Sequence, residues 1–132
     1  MPRSTLKVYS LSNCATCRAA TKWLRNRGIT FQEIAIRESP PSLPELRTAL
    51  AAHDGELRRL FNTAGADYRE RKLAEKLPGM SKSEALALLA GNGNLVKRPF
   101  VIGEGVAIVG FNEERWAAAL GQAGVTRAKP RI

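Results

Sequence analysis

Residues 6–36 read LKVYSLSNCATCRAATKWLRNRGITFQEIAI, which places a helical pattern between two strand-like runs. Leu6–Leu11 predicts the first strand and Ile29–Ile36 the second, because both are short and mostly apolar. Residues 15–27 predict the helix, since apolar residues recur there every three to four positions, and Gly28 can end it in the left-handed conformation. Two strands joined through a helix pair in parallel with a right-handed crossover. The sequence therefore predicts an α/β fold that begins with a βαβ unit.

The middle of the chain, at about residues 40–93, predicts a block of helices after Pro40-Pro41. Two capping boxes, in which a serine is followed three residues later by glutamate, begin at Ser42 and Ser81. The predicted helices run from the Ser42 cap to His53, around Leu57–Phe61, from Tyr68 to Leu77, and from the Ser81 cap to Leu89 near Gly91.

Strand-like runs return at Pro99–Ile102 and Val106–Val109. Only turn-prone residues separate them, so they predict an antiparallel hairpin. A final helix is predicted to begin after the Asn112 cap and to end at Gly121. Together with the first unit, this hairpin gives a mixed sheet, parallel on one side and antiparallel on the other.

The length and composition of the chain limit the classes of protein to which it can belong. We expect residues 1–120 to form a single domain with a helical insertion at about 40–93, and residues 121–132 to form a basic, flexible tail. Apolar residues make up 44% and charged residues 25%, as in soluble globular proteins. No apolar run approaches the ~18 residues of a membrane span, and no secretory signal is visible. We therefore expect a cytoplasmic monomer without membrane contacts and with reduced cysteines.

The chain carries a formal net charge of +9, and the excess lies in its two ends. Residues 1–39 hold seven basic and two acidic side chains, and residues 94–132 hold six and three, whereas residues 40–93 are nearly neutral. A basic surface favours anionic partners such as nucleic acid, acidic proteins or small oxyanions. The plainer interpretation is a solvated surface, and the sequence has neither a zinc-finger pattern nor an RNA-binding aromatic motif.

A C-x-x-C motif, Cys14 to Cys17, lies where the first predicted strand ends and the helix begins. Unpaired amide groups and the positive end of the helix dipole stabilise a thiolate there, and the thiolate is the nucleophilic form of cysteine. We expect Cys14 to be the exposed nucleophile and Cys17, one turn deeper, to resolve a mixed disulfide or sulfenic acid. The stripe Arg18, Lys22 and Arg25 is expected to favour the thiolate further.

Three other interpretations compete with the redox one. A zinc site needs four ligands, which two cysteines and the distant His53 do not supply, so no metal is expected. A structural disulfide is disfavoured in a reducing compartment and would close only a short loop. Two inert core cysteines stay an alternative, because free cysteine is often buried. A C-x-x-C beside a βαβ unit favours redox chemistry.

Four motifs in fixed order carry a family resemblance: the C-x-x-C, Leu60–Gly65 with Tyr68-Arg69-Glu70, Val96–Phe100, and Val109–Glu114. Together they resemble the arsenate reductase-like (ArsC/Spx) family, which is related to glutaredoxin, over about residues 5–120. The resemblance implies a thioredoxin/glutaredoxin-like fold with a helical insertion. It also implies that the Arg98–Pro99 bond is cis and faces the cysteine pair, with Arg98 beside the sulfur.

Two departures from the family pattern bear on the substrate. The resemblance implies one cysteine and three arginines around an oxyanion, and Cys14 and Arg98 match two of these positions. Asn62 and Gly110 stand where the other two arginines would be. Because each arginine supplies charge and fork geometry together, we expect weaker binding of a tetrahedral anion. The second cysteine favours dithiol–disulfide exchange instead.

The expected function is thiol–disulfide oxidoreduction in the reductase-like branch of this family, with glutathione or a thioredoxin-type protein as reductant and no bound cofactor. The substrate is then a small thiol or a protein disulfide. Residues expected to hold the anionic end of glutathione or an oxyanion are Asn13, Ala15, Thr16, Arg18 and Pro99. The alternative is an Spx-like redox-sensing regulator that binds the C-terminal domain of the RNA polymerase α-subunit.

Overall fold

A four-stranded mixed sheet forms the centre of the molecule. The computed structural model describes residues 6–103 and 105–122. The strands are β1 (Leu6–Ser10), β2 (Phe31–Ala35), β3 (Phe100–Gly103) and β4 (Val106–Val109), in the spatial order β2-β1-β3-β4. β1 and β2 are parallel, whereas β3 is antiparallel to both β1 and β4. The predicted βαβ unit and the predicted hairpin are both confirmed, although Glu104 of the hairpin turn lies outside the described residues.

Helices connect and cover these strands. They are α1 (Ala15–Asn26), α2 (Leu43–Ala52), α3 (Ala66–Glu70), α4 (Leu73–Lys76), α5 (Lys82–Gly91) and α6 (Glu113–Gln122), with short 3₁₀ segments at Leu57–Leu60, Leu77–Gly79 and Gly93–Leu95. Gly28 follows α1 with a φ of +69°, so the predicted end of that helix is confirmed. The Asn112 side chain accepts a hydrogen bond from the Arg115 amide at 2.9 Å, as expected of a cap. α6 continues through Gln122, and residues 123–132 of the predicted tail lie outside the described residues.

The helix predicted from Tyr68 to Leu77 is wrong as a single helix. It is divided into α3 and α4 by Lys72, whose φ of +53° is left-handed. In a continuous helix, Tyr68 and Leu73 would point about 140° apart, because each residue turns the chain by 100°. The break lets both side chains enter the same core, where they are 6% and 2% exposed. Burial of these two side chains therefore prevails over helical continuity.

The two predicted capping boxes differ. At Ser42 both reciprocal bonds are present, with the Glu45 amide donating to the serine hydroxyl and the Ser42 amide donating to the glutamate. At Ser81 the hydroxyl accepts from the Glu84 amide, but the Glu84 carboxylate is bonded to that hydroxyl rather than to the Ser81 amide. Only the first box is therefore complete.

The sheet has a buried cluster on each face. One contains residues of α1 and α6 and the strand residues Leu6, Val8 and Val101. The other contains α2, α5 and the remaining helical block, packed on Tyr9, Phe100 and Val109. Alternate strand residues thus enter opposite clusters, as side-chain alternation in a strand requires. The C-terminal ends of β1 and β4 and the start of β3 lie side by side at one end of the sheet, since Tyr9 pairs with Phe100 and Phe100 with Val109.

Glu45 joins the helical block to the central strand. Its carboxylate accepts hydrogen bonds from the Tyr9 hydroxyl at 2.6 Å and from the Lys7 ammonium at 3.2 Å, besides the Ser42 amide at 3.0 Å. Burial alone would raise the pKa of Glu45, but the bonds from Tyr9, Ser42 and Lys7 outweigh it, and the pKa is lowered. The same burial, with the carboxylate beside it, raises the pKa of the Tyr9 hydroxyl.

Glu45→Gln is expected to make stability less dependent on pH. Because the pKa of Glu45 is lower folded than unfolded, the carboxylate contributes stability above its ordinary value of 4.5 and loses it as pH falls through the folded-state value. Urea unfolding between pH 7 and pH 3 measures this slope. Glu75→Gln, at an exposed site on α4, is the matched control and should retain the wild-type slope. Equal slopes for all three proteins would contradict the assignment.

Candidate active site

Cys14 caps the N-terminus of α1 with its sulfur. Its backbone is extended (φ −94°, ψ 114°), and its Sγ accepts a hydrogen bond from the Cys17 amide at 3.2 Å. The sulfur thereby occupies the place that a serine or aspartate oxygen takes in an ordinary cap. The Cys14 carbonyl accepts from the Arg18 amide at 3.1 Å, which begins the helix. Cys14 is half-buried, so its sulfur is both partly accessible and in contact with the positive end of the helix.

Cys17 lies one turn further along, inside the protein. It is 1% exposed, and neither cysteine forms a disulfide. Burial, together with a hydrogen bond to the Cys14 side chain, raises the pKa of the Cys17 thiol to about 12, although a hydrogen bond with the Leu11 backbone and the charge of Arg98 act the other way. The Cys17 amide donates to the Cys14 sulfur, so the two cysteines are joined directly at the first turn of the helix. Cys17 is protonated at neutral pH, which makes it a poor first nucleophile.

The loop before β3 brings a cation to the cysteines. The bond between Arg98 and Pro99 is cis, as the resemblance implies, and the Pro99 carbonyl accepts from the Gly110 amide at 2.9 Å. The Arg98 charge acts on Cys17 across a separation of 81 residues in the chain. The Nη1 atom of Arg98 is buried and has no hydrogen-bond partner among the residues that the structure describes. This atom is a buried donor on the side chain whose charge lowers the pKa of Cys17.

The other predicted binding residues are divided between surface and core. Asn13, Ala15 and Thr16 are exposed around Cys14, whereas Pro99 is buried. They remain candidates for contact with a substrate that approaches the sulfur.

The predicted basic stripe on α1 has other contacts. Arg18 is exposed and its guanidinium donates to the Ser12 carbonyl at 3.1 Å, which holds the loop before the cysteines. The Arg25 guanidinium lies 5.5 Å from the centre of the Phe31 ring, where a cation–π contact holds it. Lys22 is exposed. Arg98 is the cation that lowers the pKa of Cys17, and an effect of the stripe on the Cys14 thiolate stays a prediction.

The two departures from the family pattern have different surroundings. The Asn62 side chain packs over Gly65, where a β-carbon would lie 2.6 Å from its Nδ2, so the asparagine fits the following turn. Gly110 has a φ of +76°, and a β-carbon there would lie 3.1 Å from Cε of Lys97. The stem of Lys97 therefore covers the position from which an arginine at 110 would extend.

A polar cavity of about 550 Å³ opens beside the cysteine loop. Its lining includes Ser10, Ser12, Asn13, Glu33 and Arg37. The Ser10 hydroxyl donates to Glu33 at 2.7 Å, and this bond fixes the strand end that precedes the loop. A peptide or thiol bound at Cys14 would have polar partners on this side. Among the described residues, no three histidine, cysteine or acidic side chains lie together as metal ligands would.

A family model described as the ArsC family matches residues 9–119. The chain belongs to the ArsC family. Among its relatives, YusI of Bacillus subtilis is 44% identical over 117 residues, which cover 86% of this chain and 99% of YusI. The global transcriptional regulator Spx of Enterococcus faecalis is 30% identical over 109 residues, covering 83% and 81%. The crystal structure of an ArsC family related protein from Bacteroides fragilis matches with a TM-score of 0.82 at 36% identity, covering 89% and 99%.

Membership of the ArsC family confirms the predicted fold class, a thioredoxin-like α/β fold with a mixed sheet. None of the helices in the described ranges has the length and apolar character that a bilayer crossing requires. Sequence reasoning missed the contacts of Ser10 with Glu33 and of Lys97 with Gly110. Their partners are distant in the chain and show no periodicity, so only the structure reveals them.

Proposed function

We propose that this ArsC-family protein is a thiol–disulfide oxidoreductase in which Cys14 is the nucleophile and Cys17 the resolving thiol. One observation carries the proposal: two free cysteines lie one helical turn apart, with Cys14 half-buried at a helix N-terminus, where its sulfur accepts the Cys17 amide, and with Cys17 buried. The accessible sulfur receives a backbone N–H and meets the substrate first. The buried Cys17 sulfur, whose pKa is raised, stays protonated as a thiol until the mixed disulfide has formed.

The exchange runs in two steps. The Cys14 thiolate attacks one sulfur of a substrate disulfide, forms a mixed disulfide and expels the other substrate sulfur as a thiolate. The Cys17 sulfur then attacks Cys14, its proton passes to the departing substrate thiolate, and a Cys14–Cys17 disulfide remains. Two electrons have moved from the protein to the substrate. Two molecules of glutathione, or one thioredoxin-type dithiol, return the pair to the reduced state.

Arg98 assists the second step through its charge. Cys17 must lose its proton in a buried site, and the guanidinium lowers the cost of that negative charge. Its Nη1 donor has no partner among the described residues and could donate to an anionic sulfur or to an oxygen on an oxidised sulfur. The site offers one arginine where the family resemblance implies three, which favours a disulfide over a tetrahedral oxyanion as substrate.

Trapping with Cys17→Ser tests the order of the two sulfurs. Without the resolving thiol, the mixed disulfide at Cys14 should accumulate, because no internal attack releases it. Oxidised glutathione is the probe, and intact-mass and peptide mass spectrometry locate one glutathione adduct on Cys14. The reduced wild-type protein treated in parallel should show an internal disulfide instead.

The matched control is Cys14→Ser, which leaves the buried Cys17 as the remaining thiol. It should form little adduct in the folded protein and should react when unfolded in urea. An adduct on Cys17 of the folded variant at the wild-type rate would contradict the proposed roles.

A second candidate function is redox-sensing regulation. The observation that favours it is the 30% identity to the transcriptional regulator Spx of Enterococcus faecalis, together with the net charge of +9. In that case the cysteine pair would be a switch, and the surface would bind the C-terminal domain of the RNA polymerase α-subunit. A pull-down with this domain under oxidising and reducing conditions separates the two functions, since the oxidoreductase needs no such contact. Both candidates place the protein in the cytoplasm.

A further inference from the structure

A second cavity, distinct from the one beside the cysteine loop, has a volume of about 430 Å³. Its volume is within the range of small-molecule sites. Its cationic lining comes from three separate parts of the chain: Arg58 and Arg59 of the 3₁₀ segment after α2, Lys97 before β3, and Arg115 of α6. One acidic side chain, Glu56, lines the same cavity.

Buried residues lie beneath this cavity. Phe61 and Val109 are 1% and 5% exposed, and both belong to the larger buried cluster. His53 is also buried in the wall, where its Nδ1 lies 2.7 Å from the Ala49 carbonyl oxygen. The backbone that carries the cations is therefore fixed by packing, although the charged side chains themselves are exposed.

Most of the cations have no acidic partner. Among residues 6–103 and 105–122, the side chains of Arg58, Lys97 and Arg115 form no ion pair. Arg59 lies 3.9 Å from Asp54 and 3.8 Å from Glu56, which is longer than a charge-assisted hydrogen bond. Four like charges around one small cavity repel each other, and a bound anion would relieve that repulsion.

We propose that this basic cavity binds a small polyanion that carries two phosphate groups. Three arginines supply the planar forks that match phosphate oxygens in pairs, and Lys97 adds a point charge. Two phosphate groups bring about three to four negative charges, which balance four cations and one carboxylate. The cavity volume of about 430 Å³ leaves room for the group to which the phosphates are attached.

Lys97 connects this cavity with the end of the sheet where the cysteine loop follows β1. Its Cε would lie 3.1 Å from a β-carbon at Gly110, and the Gly110 amide binds the Pro99 carbonyl. Lys97 also precedes Arg98 directly in the chain. A bound polyanion would therefore hold the segment that presents Arg98 to Cys17. The proposal does not depend on the oxidoreductase function, because binding can be measured without turnover.

Isothermal titration calorimetry, in which pyrophosphate is added to the reduced protein at low ionic strength, tests the proposal. One site is expected, with affinity that falls as sodium chloride is added. Arg58→Ala and Arg115→Ala should each weaken binding by about tenfold or more, as loss of a charged hydrogen-bond donor does. Arg71→Ala removes an equal charge at an exposed position outside the cavity and should leave the affinity within about twofold.

Control experiments test which ligand chemistry the cavity prefers and whether each variant is folded. Benzene-1,3,5-tricarboxylate should bind more weakly than pyrophosphate, and Cys14→Ser should bind pyrophosphate as the wild type does. Arg58→Lys keeps the charge without the fork and should give an intermediate affinity, while thermal melting confirms that each variant is folded. The proposal is overturned by an absence of saturable binding to the wild type, by equal weakening in Arg71→Ala, or by a preference for the tricarboxylate.

Discussion

Replacing Cys14 with serine is expected to lower the rate of disulfide exchange by about a thousandfold or more, the scale on which loss of a nucleophile acts in other enzymes. A hydroxyl at this cap can still accept the Cys17 amide, so the helix should remain intact. The remaining thiol is 1% exposed and has a raised pKa, and it cannot take over as nucleophile. The loss is measured by an assay in which the protein reduces a small disulfide with glutathione as reductant and the released thiol is monitored.

Cys17→Ser is the matched variant for this experiment. It retains the accessible nucleophile, so a pathway in which a second glutathione resolves the mixed disulfide should keep part of the activity. Equal loss in both variants would show a strictly dithiol mechanism and would remove the distinction between the two sulfurs. Full activity of Cys14→Ser would remove the proposed nucleophile.

Trp116→Ala is expected to lower the free energy of unfolding by about 3–5 kcal/mol. Trp116 has no exposed surface, and its Nε1 donates to the Gly110 carbonyl at 2.9 Å. Its ring makes edge contacts with Phe111 at 4.9 Å and Trp23 at 5.8 Å between centroids. The truncation would leave a cavity in the smaller cluster and a buried carbonyl without its donor. Urea unfolding followed by circular dichroism measures the change.

Trp116→Phe separates the contribution of aromatic packing from that of the indole hydrogen bond to the Gly110 carbonyl. It keeps an aromatic ring against Trp23 and Phe111 but loses the indole donor, so its cost should be well below that of alanine. A cost for Trp116→Ala of less than about 0.5 kcal/mol, the range of surface substitutions, would show that this cluster does not stabilise the fold as described.

The local parts of this fold are readable from the sequence because their signals are local. Alternation in the strands, the stop at Gly28 and the Ser42 box each lie within a few residues of what they determine. The break at Lys72 could not be predicted, because it depends on where the core receives Tyr68 and Leu73. A helical pattern continues through that position, and only the packing of distant elements opposes it.

The candidate site divides in the same way. The cysteine motif and its place at a helix N-terminus follow from the sequence, whereas the place of Arg98 beside Cys17 came from a family resemblance. Helical spacing identified the stripe of Arg18, Lys22 and Arg25, but it gave no sign that Arg18 would bind the Ser12 carbonyl or that Arg25 would lie over Phe31. The basic cavity joins Arg58 to Lys97 and Arg115 and has no signal except charge.

Gly110 constrains how selection could reshape this protein into a three-arginine oxyanion reductase. An arginine at 110 would have to adopt a backbone conformation with a φ of +76° that L-residues disfavour, and would meet the side chain of Lys97. Because Lys97 is exposed and its flexible end can move aside, the positive φ is the larger obstacle to this replacement. An arginine at 110 would therefore be gained only together with backbone strain that the glycine avoids.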